Sequence, residues 1–222
     1  MLKTTRLVLA VVAVLAMAGT LHAEQGMKQS GFLGDYSALK PGPKGGADFV
    51  YMKEGVDFAK YNKVMLDEVV FFLKDDAQYK GISPQEMKEL ADTFHNAVSD
   101  ALGDAYPLVA EPAPDVIRLR VAITDLVPSK PGVSAVTTVM PIGLDVSVAK
   151  KAVTGSYTGA GETGMEIEIL DSMSNERVAA AVDQRAAGKL ETFSKWGAAE
   201  EAFKFWAQRL RTRLDEIHGA SK

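Results

Sequence analysis

Apolar positions along the chain switch between two periods. Ser83 to Leu102 has the helical one: Met87, Leu90, Ala91, Phe94, Val98, Ala101 and Leu102 fall three or four apart on one face. Ser83-Pro84-Gln85-Glu86 forms a capping box at its start, with proline at the first helical position, and Gly103 supplies the stop. Trp196 to His218 repeats the pattern with Trp196, Ala199, Phe203, Trp206, Leu210, Leu214 and Ile217. Asp115 to Leu126 alternates instead: Ile117, Leu119, Val121 and Ile123 point one way, Arg118, Arg120, Ala122 and Thr124 the other. Met165 to Leu170 and Val178 to Arg185 alternate around the turn Asp171-Ser172-Met173-Ser174-Asn175. They read as a hairpin with Val178, Ala180 and Val182 inward. Asn62 to Leu73 reads as a strand with an expected bulge near Asp67-Glu68, and Tyr106 to Ala110 reads as a short one.

The order strand, helix, two strands, hairpin, helix predicts an α+β sandwich. Its sheet has about five strands, mostly antiparallel, with two amphipathic helices on one face. Residues 24–60 read as an extended arm ending in a Pro/Gly-rich loop, Pro41 to Gly46. Phe32 and Tyr36 are its candidate anchors to the body. Residues 61–222 form one domain, with a long insertion at about 127–157 that has no obvious place in the sheet.

The first residues change the accounting. Lys3 and Arg6, the 12-residue uncharged run Leu7 to Ala18, and Leu21-His22-Ala23 have the order of a secretory signal peptide. Cleavage is expected after Ala23. Removing 23 residues from 222 leaves 199, and losing two cations takes the net charge from −4 to −6. The expected location is the periplasm. A mildly acidic chain does not fit a nucleic-acid binder. There is no cysteine, which excludes disulfides, thiol catalysis and cysteine metal ligands.

Candidate chemistry is sparse, and no catalytic, cofactor or metal residue is assigned. Gly159-Ala160-Gly161-Glu162-Thr163-Gly164 matches a dinucleotide fingerprint as a string, but it precedes a strand where the chemistry needs a helix. Ser37-Ala38-Leu39-Lys40 and Ser147-Val148-Ala149-Lys150 match an acylating Ser-x-x-Lys pair without its companion motifs. His95, three residues after Asp92, reads as a helix-surface residue.

Two regions remain as interaction candidates. One is a polar docking face of Arg118, Arg120, Glu166, Glu168, Asp183 and Arg185, against the plainer reading of a solvated charge ladder. The other is the small, apolar segment Val133 to Ala149. Its Val133, Val136, Val139, Met140, Ile142 and Leu144, followed by Lys150 and Lys151, suit a partner or a peripheral membrane contact, or else a buried cover.

Ser30-Gly31-Phe32-Leu33-Gly34-Asp35-Tyr36-Ser37, the Tyr61 to Leu73 strand, Ala181-Val182-Asp183-Gln184-Arg185 and the Trp196 to Leu210 helix resemble a family of bacterial envelope proteins, domain of unknown function 3313. Many members are predicted outer-membrane lipoproteins. This chain has no cysteine to acylate, so the resemblance implies a free periplasmic or peripherally outer-membrane-associated protein. Its partners would be unidentified envelope proteins, and the family offers no catalytic residues. The resulting expectation is a non-catalytic interaction or structural module. The alternatives are a binder of a lipid or other small apolar ligand and, more weakly, a hydrolase.

Overall fold

The computed structural model describes residues 27, 29–73, 81–129, 161–186 and 194–219. The strands are β1 (Lys40–Pro41), β2 (Phe49–Met52), β3 (Lys63–Leu66), β4 (Val70–Phe71), β5 (Val116–Val127), β6 (Glu162–Asp171) and β7 (Arg177–Ala186). The main helices are α1 (Pro84–Leu102) and α2 (Gly197–Ile217). The seven strands form one sheet in the order β1-β2-β7-β6-β5-β3, with β4 also paired to β5. The α+β layering is present, but among the described residues the sheet has seven strands where about five were expected, and it is mixed.

β3 and β4 run parallel to β5, with Val64 opposite Ile117 and Val70 opposite Ala122. Parallel neighbours need a long crossover, and α1 occupies that connection. The bulge expected near Asp67-Glu68 is a break in the ladder. There Asp67 turns its carboxylate to Arg118, while Val69 drops into the core. Tyr106 to Ala110 contributes only the single bridge Val64 to Leu108.

The supposed arm holds two strands. β2 pairs antiparallel with β7, from Phe49 opposite Val182 to Met52 opposite Ala179, and β1 pairs with β2 across the Pro/Gly-rich turn. The turn's composition disguised a hairpin as a linker.

Both helices share one side of the sheet. Leu90, Phe94, Val98, Phe203 and Leu214 pack on Ile117, Leu119, Val121, Ile123 and Met165. Phe94 meets Phe203 edge to face at 5.3 Å, the favoured arrangement for an aromatic pair. The start of α1 has both halves of the capping box. Ser83 Oγ accepts from the Glu86 amide, and Glu86 Oε2 accepts from the Ser83 amide. Glu86 Oε1 also accepts from Lys195 Nζ at 2.5 Å and Trp196 Nε1 at 3.1 Å, just before α2 begins. One carboxylate therefore caps one helix and fixes the entry to the other.

Lys195, then the Ser83 backbone and side chain, hold the Glu86 carboxyl at about 2, below its ordinary 4.5. A lowered carboxylate stabilises the fold above its unfolded pKa and loses that effect as pH falls through the folded value. We predict that Glu86→Gln flattens the acid side of the thermal stability profile between pH 4.5 and 2. Parallel profiles for the two proteins would refute this role.

Candidate functional site

The polar face expected of the sheet divides between its two sides. Arg118, Arg120, Glu166 and Glu168 lie on the side away from the helices. Asp183 and Arg185 lie on the helix side, where Asp183 is opposite Met165 and bonds to Trp206, and Arg185 stacks on Phe205 at 3.7 Å. The six residues do not form one surface.

The face away from the helices is covered by the chain's own N-terminal segment. Gly31 and Gly34 take left-handed φ values of 97° and 70°, and so fold Ser30 to Tyr36 into a tight turn. The Tyr36 hydroxyl donates to Glu166 Oε2 at 2.5 Å and accepts from the Gly31 amide at 2.8 Å and the Leu33 amide at 3.3 Å. The Ser30 amide donates to Glu166 Oε1 at 2.8 Å. Glu166 has no exposed surface. Burial, followed by the hydrogen bond to Glu166, raises the Tyr36 hydroxyl above its ordinary range.

Ala180 and Val182, expected to face the main core, pack here against Leu33 and Tyr36 in a second cluster. Val178 alone of the three reaches the helix-side core. A register shift between Ile169 and Leu170 separates it from the others.

The arginines follow the same logic. Arg120 pairs with Glu168 at 2.5 Å and lies over the Phe32 ring. Arg177 also reaches Glu168, at 2.7 Å, and donates to the Leu33 and Asp35 carbonyls. Arg118 pairs through two nitrogens with Asp67, each at 2.9 Å, and not with Glu166. What read as a docking face is the seat of an intramolecular segment.

The helix side has an opening. β7 turns the small residues Ala179 and Ala181 toward it, and the half-buried Ile167 and Ile169 of β6 lie alongside. α2 walls the space with Phe205, Leu210, Leu214 and Ile217, and β2 adds Val50 and Met52. The cavity holds about 300 Å³. Asp183 borders it, accepting from Trp206 Nε1 at 2.7 Å and from the Asp48 amide at 3.0 Å. Burial pushes the Asp183 carboxyl above its ordinary range, against the lowering effect of the Trp206 bond. Arg209 and Arg213 stand on the α2 rim. Nothing in the alternation announced this cavity. The run of small residues Ala179-Ala180-Ala181 beside bulky strands was the available signal.

The remaining candidates are dispersed. His95 is exposed on α1, and Asp92 is taken by Lys88 at 2.5 Å. Ser37 is exposed, and its amide bonds to Asp35. Of the string Gly159 to Gly164, Glu162, Thr163 and Gly164 open β6, a strand, and Gly159 and Ala160 lie outside the described residues. A side chain at Gly161 would lie 2.5 Å from the Val127 carbonyl and 2.7 Å from Ala198, so this glycine answers to packing. Ser147 and the segment with Val133, Val136, Val139, Met140, Ile142, Leu144, Lys150 and Lys151 fall outside the described residues, as do residues 1–23, expected to be a signal peptide. Among the described residues no helix is long and apolar enough to cross a membrane.

These features define an α+β module with one sheet face partly covered by its own N-terminal segment and an apolar cavity on the other. The chain belongs to the family described as protein of unknown function (DUF3313), whose model matches residues 28–210. Curated proteins give no match. Among solved structures the chain is similar to a PelC dodecamer from Paraburkholderia phytofirmans, at 15% identity and TM-score 0.41, covering 73% of this chain and 95% of that one. It is similar to a Xanthomonas campestris protein of family DUF330, at 12% identity and TM-score 0.39, covering 72% and 87%. A DUF4136 family protein from Bacteroides thetaiotaomicron is similar at 8% identity and TM-score 0.35, covering 76% and 95%.

Tyr36→Phe removes one of the two donors that the described residues give to a buried carboxyl and keeps the ring. An unsatisfied buried acceptor costs about 1–3 kcal/mol. We predict that loss of stability by urea unfolding, with the N-terminal segment becoming sensitive to protease. Unchanged stability together with unchanged protection would exclude Tyr36 as the fastener.

Proposed function

We propose that this is an exported envelope protein that binds a small apolar ligand without catalysis, in the cavity between α2 and strands β2, β7 and β6. The cavity is the observation that carries the reading. Its walls are aliphatic and aromatic side chains with few polar groups among them, and binding sites for small ligands are concave and mostly apolar in this way. At about 300 Å³ it lies at the small end of such sites.

Export is supported by the basic, apolar and small-residue order of positions 1–23. A non-catalytic role is supported by the lack of cysteine and by the separation of the two histidines outside that leader. His95 is exposed on α1. His218, at the far end of α2, lies within hydrogen-bonding distance of the Leu214 and Ala59 carbonyls. A module acting through protein contacts is the second reading. It is favoured by Val70 and Phe72, apolar side chains 42% and 44% exposed on and beside the edge strand β4.

Native mass spectrometry of protein purified from its own envelope tests both parts. We expect a chain beginning at Glu24 with a non-covalent apolar ligand that is lost in Ala181→Phe, a substitution that fills the cavity. A chain retaining residues 1–23 would overturn cleaved export. A ligand-free protein that also fails to take up apolar probes would overturn the binding role.

A further inference from the structure

The rim of the cavity carries a charge pattern that the apolar-ligand reading leaves unused. Across the whole chain acids outnumber bases, 29 to 25. Around this opening the count is even, with Arg209 and Arg213 against Asp183 and Glu216. Arg209 and Arg213 follow one another at helical spacing on the cavity side of α2, and Arg185 lies over Phe205, a wall residue.

Two of the carboxylates nearby are already engaged. Glu216 pairs with Arg213 at 2.9 Å, and Asp183 is buried under Trp206. Arg209 makes no ion pair with any described residue. Its guanidinium stands against the β1–β2 turn, so close that a side chain at Gly46 would lie 3.3 Å from it. In this position the exposed guanidinium lies at the mouth of the cavity. The result is an apolar slot with a guanidinium at its entrance that no carboxylate of the described residues pairs.

We infer that the occupant is a single-chain anionic amphiphile of the fatty-acid class, its hydrocarbon chain in the cavity and its carboxylate on Arg209. This inference rests on the apolar-ligand reading and adds the head group. Three features select the class. The volume suits one chain. The walls place aliphatic and aromatic carbons around it, where burial is favourable in proportion to apolar area. The planar guanidinium fork matches a carboxylate with two parallel hydrogen bonds. An ammonium head group would instead meet like charge and be rejected.

Calorimetric titration of the full mature chain with laurate, lauryl alcohol and dodecylammonium tests the head group separately from the chain. We expect laurate to bind at least tenfold more tightly than dodecylammonium. Arg209→Glu should reverse that order and leave lauryl alcohol unchanged, with Arg209→Gln in between. Arg209 is solvent-exposed at the cavity rim, and circular dichroism checks that each variant is folded. Equal binding of all three ligands, unaltered in Arg209→Glu, would overturn the head-group assignment and leave the apolar-ligand reading standing. Failure of all three to bind would overturn both. A stable dimer by light scattering, disrupted by Ala181→Phe and insensitive to laurate, would give the face to a second copy of the chain and likewise overturn the inference.

Discussion

A carboxyl group with no exposed surface sits in the middle of this sheet, and much of the architecture follows from providing for it. Glu166 is flanked across the ladder by Ala122 and Val182, neither of which can donate a hydrogen bond from its side chain. Burying such a group without partners costs several kcal/mol. The partners come from more than a hundred residues earlier, as the Ser30 amide and the Tyr36 hydroxyl. The N-terminal segment is therefore a structural requirement of β6. Once it is seated, Leu33 and Tyr36 cover Ala180 and Val182, Phe32 meets Phe72 and Arg120, and Arg177 secures two backbone carbonyls. One polar residue on a strand thereby turns an exterior face into an interior one.

The other face is governed by width. Six strand positions abreast, about 4.8 Å apart, span about 24 Å. Two helices of about 10 Å diameter roof about 20 Å of that. α1 and α2 pack over the bulky side chains of β5 and the facing part of β6, and the shortfall lies toward β7 and β2. There the sheet offers Ala179 and Ala181, too small to reach α2. The bond from Trp206 to Asp183 ties α2 to the same strand. The two faces thus receive different treatment, one closed by a dedicated segment and the other left open along an edge.

Periodicity made the elements legible and the faces much less so. The capping box at Ser83, the helical stripe through Phe203 and Leu214, and the alternation of β5 each have a local cause and were readable. Parallel pairing was not, because Asn62 to Leu73 carries no mark of strand direction. The strand-helix-strand order around α1 was the usable hint. β7 misled for a different reason. Its Ala179, Ala180, Ala181 and Val182 are apolar on both sides, so a period of two does not say which side meets the helices. Asp183 and Arg185 were placed with Glu166 and Glu168 on that basis and belong to the opposite face. The Tyr36–Glu166 contact was equally hidden, since nothing local to either residue requires the other. Aromatics set in a glycine-rich turn were its only trace.

The cavity also constrains its own explanation. A closed, empty space costs about 24 cal/mol per Å³, so 300 Å³ would cost roughly 7 kcal/mol, comparable to the whole stability of an ordinary domain. The space here is open at the rim, which exchanges that cost for apolar side chains in contact with water. Either way the unoccupied fold carries a penalty that bulkier residues at Ala179 and Ala181 would remove. A chain that uses leucine and isoleucine freely on β5 and β6 leaves these positions small. On the proposed reading, an apolar occupant would offset the penalty by excluding water from the same walls. A ligand that binds only the folded state also stabilises it by mass action. The same alanines that weaken the empty fold would therefore couple its stability to occupancy.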